Sequence, residues 1–196
     1  MPLRPLSLPD AEVLLDVHFL APAEAAALLA ELTATVAWRQ EPIKLFGREV
    51  MQPRLTAWYG DPNATYRYSG LHLEPLPWLP ALQHLRAQLE AATGARFNSV
   101  LLNLYRSGQD SMGYHADDEP ELGPAPVIAS LTLGATRTFR LKPRPGVPAQ
   151  ALSLPLPAGS LLVMRGETQQ NWLHALPKTV RPVGPRLNLT FRLVGE

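Results

Sequence analysis

The chain reads as mainly β with flanking helices (α+β), with a core expected to be a β-sandwich of jelly-roll type. Two textures predict this. Before residue 97 there are two apolar stripes at helical spacing. After it come six short apolar runs punctuated by Gly and Pro, as in all-β sandwiches and barrels. At 196 residues one domain spanning 1–196 is expected, with helices and a hairpin in 1–96 and the sandwich in 97–196.

Pro22 stands where a helix can start, and 23–37 is a run of Ala, Leu and Glu with apolar residues recurring at helical spacing. Residues 42–59 read as a β-hairpin followed by a strand, with Phe46-Gly47 at the hairpin tip. A second helix is predicted over 80–92, where Leu82, Leu85 and Leu89 share a stripe and Gly94 ends it. Strands are predicted over 99–105, 127–133, 136–141, 151–156, 160–164 and 187–194. Pro143-Arg-Pro-Gly-Val-Pro148 is a connecting loop inside the domain, and no internal repeat is visible.

Composition narrows the function classes. Hydrophobic content of 46% and charged content of 18% describe a soluble globular chain. A net charge of +1 neither demands nor forbids a nucleic-acid partner, so any basic surface must be local. The absence of Cys excludes thiolate zinc sites, disulfides and a cysteine nucleophile. The N-terminal run Met-Pro-Leu-Arg-Pro-Leu is too rich in Pro for a signal peptide, and no stretch has the length of a membrane-spanning helix. A cytoplasmic monomer without a membrane partner is expected.

The chemistry concentrates in two places. Gly-Tyr-His115-Ala-Asp117-Asp-Glu and, far downstream, Asn-Trp-Leu-His174-Ala-Leu-Pro supply the ligand set of a 2-His-1-carboxylate site for non-haem Fe(II). In an extended segment residues i and i+2 point to one side, so His115 and Asp117 can reach one metal from a strand or its end. His174 must then arrive on a neighbouring strand. The competing reading is that the histidines are ordinary core or surface residues; His18, His72 and His84, which lack metal-like spacing, are read that way.

The second place is Pro185-Arg-Leu-Asn-Leu-Thr-Phe-Arg192. Alternation puts Arg186, Asn188, Thr190 and Arg192 on one face and Leu187, Leu189, Phe191 and Leu193 on the other. Buried guanidinium groups need anionic partners, and a dicarboxylate would satisfy both arginines. An exposed edge-strand face with solvated charge is the alternative.

These residues, with Asn103-Leu-Tyr105 and Asp118-Glu119, resemble the AlkB-type 2-oxoglutarate- and Fe(II)-dependent dioxygenases in order and spacing, from about residue 40 to the C-terminus. The resemblance implies a double-stranded β-helix (jelly-roll) core with N-terminal helices and a β-hairpin nucleotide-recognition lid. It implies Fe(II) ligation by His115, Asp117 and His174, which are also the catalytic centre. It further implies that Arg186, Asn103 and Tyr105 hold the distal carboxylate of 2-oxoglutarate, with Asn188 and Arg192 near its C1 carboxylate. The implied reaction consumes O2 and 2-oxoglutarate, demethylates 1-methyladenine and 3-methylcytosine in DNA, and releases succinate, CO2 and formaldehyde.

The hairpin from Ile43 to Arg54 is similar to that of the duplex-DNA-repairing branch of the family, where an aromatic wedge fills the gap left by a flipped base. Phe46 falls at the wedge position and Arg54 matches a downstream arginine. Extruding a base needs such filling, and Lys44, Arg48 and Arg54 would contact phosphates. By the same resemblance Tyr59 stacks on the base opposite His115, while Trp58 is expected to point into the core. Asp118 and Glu119 are candidates to bond the exocyclic amine of the lesion. The expected partner is alkylated DNA, double- or single-stranded. Alkylated RNA, a small molecule, or a non-catalytic nucleic-acid-binding role are the alternatives.

Overall fold

The chain opens with β1 (Arg4–Leu6), β2 (Glu12–Asp16) and α1 (Pro22–Thr35). The short strands β3 (Pro42–Leu45), β4 (Arg48–Met51), β5 (Leu55–Gly60), β6 (Tyr66–Tyr68) and β7 (Leu71–Leu73) follow, then α2 (Pro80–Thr93). The second half contains β8 (Ser99–Tyr105), β9 (Met112–His115), β10 (Ile128–Gly134), β11 (Arg137–Pro143), β12 (Leu152–Leu156) and β13 (Leu161–Arg165). It ends with a one-turn helix α3 (Thr168–Asn171), β14 (Trp172–Leu176) and β15 (Arg186–Arg192). The computed structural model describes the backbone of residues 2–45, 48–64, 66–68 and 71–195, with side chains except at 43–45, 48, 66–68 and 71–73.

Two antiparallel sheets face each other as a jelly roll. One has seven strands in the order β1-β2-β13-β10-β15-β8-β5, the other four in the order β12-β11-β14-β9. The strands β1 and β2, which the sequence reading did not anticipate, pair with each other and then with β13. With β5 they bring three strands of the first half into the large sheet, so the chain does not divide cleanly at residue 96. The hairpins β3–β4 and β6–β7 stand apart as two-stranded sheets.

Both helices begin with Pro, whose fixed φ and missing N–H suit the first turn. Gly94 closes α2 at φ 69°, a left-handed cap that a Cβ would disfavour. Leu82, Leu85 and Leu89 of α2 and Ala25 and Leu32 of α1 are fully buried against the outer face of the large sheet. That sheet answers with Val100, Leu102, Leu131, Leu187, Leu189 and Phe191. Each such leucine contributes roughly 1.5–3 kcal/mol by leaving water. A second cluster, including Ile128, Phe139, Leu141, Leu162 and Trp172, fills the space between the two sheets at one end. At the other end the same inner faces turn polar, and there the sandwich is open.

Gly134 is a point where backbone geometry decides the packing. It sits at φ 81° opposite Arg186, and a Cβ there would lie 2.4 Å from the Pro185 carbonyl oxygen. Only glycine lets β15 start this close to β10. No helix among the described residues is long and apolar enough to cross a membrane.

Candidate active site

The three proposed metal ligands meet. His115, at the end of β9, is the direct cross-strand partner of His174 on β14, and their ring centroids are 4.2 Å apart. Asp117 lies two residues beyond His115, and one ligand atom from each of the three residues falls within 4.8 Å of the others. His115 Nδ1 donates to the Gly113 carbonyl at 2.9 Å, which leaves Nε2 with its lone pair free for a cation. Phe139 stacks on His174 at 5.4 Å between centroids and braces that ring.

The Asp117 carboxylate is buried. Arg192 Nη2 donates to its Oδ1 at 2.5 Å, while Oδ2 is enclosed without a hydrogen-bond partner. An orphaned carboxylate oxygen between two imidazoles is a fitting third donor for a divalent cation. Burial works to raise the Asp117 carboxyl, but Arg192, with help from the two histidines, holds it below the usual range. Burial pushes His174 down to about 3 against the pull of Asp117, so its imidazole stays neutral and ready to ligate.

Behind the triad lies a second buried charge. Arg186 is 1% exposed, and its Nη2 donates to Thr132 Oγ1 at 2.9 Å and to Asn188 Oδ1 at 2.7 Å. Its Nε has no partner, nor does Nε of Arg192, and no acidic side chain pairs with Arg186 among the described residues. Burial lowers the Arg186 guanidinium to about 10. Tyr105 lies under it, 5.5 Å from the guanidinium carbon to the ring centroid, and burial raises the Tyr105 phenol despite the surrounding arginines. Asn188 is tied to Ser130 and Thr190, and Asn103 accepts from Arg54 Nε at 2.7 Å. A cationic end wall with orphaned N–H groups fits a dicarboxylate.

Triad and arginines share one cavity of about 380 Å³ between the sheets. Asn103, Tyr105, His115, Asp117, Glu119, His174, Arg186, Asn188 and Arg192 all line it. Three substrate-side expectations need correction. Tyr59 is 4% exposed in the helix-facing core, where its hydroxyl accepts from the Ala37 N–H at 3.0 Å. The cavity wall is formed instead by Trp58. The register explains the exchange: Tyr59 pairs with the core residue Val100, and Trp58 with Leu101, which lines the cavity. A one-residue error in parity moves a side chain to the opposite face.

Arg54 is 8% exposed inside the cavity and bonded to Asn103, so it is not placed as a surface phosphate contact. Asp118 turns outward and pairs with Arg144 at 2.6 Å, leaving Glu119 as the acidic residue of the pair that lines the cavity, with a buried Oε2 lacking a partner. Phe46 lies outside the described residues, as do the side chains of Lys44 and Arg48.

Sequence reasoning also missed Gln169, whose Oε1 accepts from the Asp117 backbone N–H at 3.0 Å, and Thr132, which receives Arg186. Counting back along β10 from its register with β15 would have found Thr132; no local signal marks Gln169.

This combination of a jelly-roll sandwich, a His-Asp-His triad and a buried arginine behind it belongs to a recognisable class. The family model for the 2OG-Fe(II) oxygenase superfamily matches residues 12–192, and the chain belongs to that superfamily, as a member of AlkB type. Fe(II), 2-oxoglutarate and O2 are the cofactor and co-substrates of that family.

The chain is 44% identical over 179 residues to human alpha-ketoglutarate-dependent dioxygenase alkB homolog 3, a match covering 87% of this chain and 62% of that protein. It is 42% identical over 158 residues to the human DNA oxidative demethylase ALKBH2, covering 78% of this chain and 60% of that protein. It thus spans about 60% of the length of these curated relatives. The solved structure of OsALKBH1 shares the fold, with a TM-score of 0.64 at 19% identity over 95% of this chain and 99% of that one.

Proposed function

We propose that the protein oxidatively demethylates N-alkylated bases in nucleic acid, with 1-methyladenine and 3-methylcytosine in DNA as its principal substrates. The observation that carries this reading is the shared cavity. An unsatisfied Asp117 oxygen sits between two imidazoles, and an arginine without an acidic partner among the described residues lies behind them. The names of the relatives supply the substrate class.

His115, Asp117 and His174 would hold Fe(II), and Arg186, Asn103, Asn188, Tyr105 and Arg192 would hold 2-oxoglutarate. Once bound, iron and 2-oxoglutarate supply the oxidising power that converts an N-methyl group to N-hydroxymethyl, with O2 consumed and succinate and CO2 released. The hydroxymethyl is then lost as formaldehyde.

The chain's own residues select and hold the base. Trp58 offers an aromatic wall worth about 1–3 kcal/mol to a stacked heterocycle. Both lesions are cationic rings, and the partnerless Oε2 of Glu119 can accept from such a ring or its exocyclic amine.

The test is mass spectrometry on a 3-methylcytosine oligonucleotide given with Fe(II), ascorbate and 2-oxoglutarate, as single strand, duplex and RNA. Loss of one methylene mass with matching succinate is expected, fastest on DNA. Succinate production that no alkylated nucleic acid stimulates would move the substrate to small molecules. For duplex substrates Phe46 is the proposed wedge: Phe46→Ala should slow repair of duplex more than of single strands, and equal loss on both would remove that role.

A further inference from the structure

We propose that the outward face of the four-stranded sheet, centred on Tyr114, is a stacking and phosphate platform for single-stranded nucleic acid flanking the base in the cavity. The proposal rests on the nucleic-acid reading above and adds where the rest of the strand lies.

The platform arises from a β-bulge. On β14, His174 pairs with His115 and Leu176 with Met112, so Gly113 and Tyr114 together oppose Ala175 alone. The extra residue re-aims side chains. The Gly113 carbonyl turns to receive His115 Nδ1, and Tyr114 is released to the surface, 44% exposed. An exposed aromatic ring therefore stands on the edge strand, adjacent in the chain to the cavity-lining His115.

The sheet that carries it bears charge of one sign. The Lys142 ammonium lies over the Tyr114 ring, 5.6 Å from the centroid. Arg140 sits two residues away on the same face of β11 and is exposed, in register with Ala175. None of the four strands contains Asp or Glu, although the chain as a whole is nearly neutral. Asp118, the acidic residue that follows the iron ligand, is already paired with Arg144.

Cations interleaved with an exposed ring are the elements by which single strands are bound without sequence preference: phosphates meet the ammonium and guanidinium, and an unstacked base meets the ring. In a duplex the neighbouring bases are stacked on each other and cannot reach Tyr114, so only the cations contribute there.

The experiment measures kcat/KM on a 3-methylcytosine mononucleotide, a single-stranded oligonucleotide and its duplex, together with anisotropy of an unmodified labelled single strand. Tyr114→Ala is expected to weaken the single-stranded oligonucleotide about five- to 150-fold, by the usual worth of one stacked base, and at least fivefold more than the mononucleotide or duplex. Tyr114→Trp should restore it. Lys142→Ala and Arg140→Ala should each reduce the slope of log affinity against log salt by about 0.7 on single strands.

Wild-type behaviour of Tyr114→Ala on single strands overturns the platform. So does an equal loss on mononucleotide and oligonucleotide, which would mean that only His115 had been disturbed. Should the wild type demethylate nothing yet bind the unmodified strand through Tyr114, the proposed reaction fails and the platform stands. Binding of neither overturns both.

Discussion

The two ends of the cavity are lined by neighbouring strands of one sheet but built on different terms. At the Arg186 end, polar side chains are buried and locked to one another: Arg186 to Thr132 and Asn188, Asn188 to Ser130 and Thr190. At the Trp58 end the wall is mixed, with Trp58, Leu101 and Thr56 facing the cavity beside Glu119. One end is a preorganised charge that fits a single small dianion. The other is a surface of moderate specificity suited to flat heterocycles. The difference teaches that fixed chemistry is written in buried polar groups, and substrate choice in parity and in loops.

Removing the metal ligand is the most severe way to probe the contrast. Asp117→Ala should abolish stoichiometric Co(II) or Fe(II) binding and all 2-oxoglutarate turnover, measured by metal absorption and succinate release. Arg186→Met comes next, with a loss of about 2–5 kcal/mol, at least thirtyfold, in 2-oxoglutarate affinity. Because that cation is buried without an anionic partner among the described residues, the ligand-free variant should melt no lower than wild type. In wild type, 2-oxoglutarate at a hundred times Kd should add about 2.7 kcal/mol of stability. A large drop in the ligand-free variant's Tm would show that Arg186 is a structural residue, and the contrast between the two ends would break.

Gln169→Leu strips the Asp117 N–H of its acceptor and should weaken metal binding by about ten- to a hundredfold, as outer-shell partners commonly do. Calorimetry with Co(II) reads this directly. Trp58→Ala against Tyr59→Phe sharpens the other end. The first should raise KM for methylated oligonucleotide by about 1–3 kcal/mol equivalent. The second orphans the Ala37 N–H and should cost about 1–3 kcal/mol in urea melts while leaving KM alone. The opposite pattern would put Tyr59 back in the base site. Asp118→Asn is the smallest, since the Arg144 pair is half exposed: under about 1 kcal/mol in stability and no change in lesion preference.

Strands carrying polar and apolar residues on opposite faces were legible in advance. β15 shows this best, for Leu187, Leu189 and Phe191 go to the core while Arg186, Asn188, Thr190 and Arg192 go to the cavity. On β5 a strand was expected, but which face each residue takes was not legible. Leu-Thr-Ala-Trp-Tyr-Gly is largely apolar on both faces because it has helices on one side and the cavity on the other, so alternation carries no sign. The strands that bear the iron ligands were expected but could not be given bounds: β9 has four residues with a bulge, and β14 is one turn of helix away from β13. Their ligands were found through residue type and spacing, which do not depend on predicting the strand.

The sequence by itself determined the chemistry of the centre, because a 2-His-1-carboxylate set and a strand with buried arginines have few uses other than holding a metal and an anion. It determined the mainly β character too, through local alternation and turn residues. Only the tertiary structure decided that Trp58 and not Tyr59 walls the cavity, that Asp118 is spent on Arg144, and that Tyr114 is turned outward. Each of these depends on register or contact between segments distant in the chain: β5 on β8, residue 118 on 144, β9 on β14. Pairing across such distances is set by the packed whole and leaves no mark in any local stretch of residues.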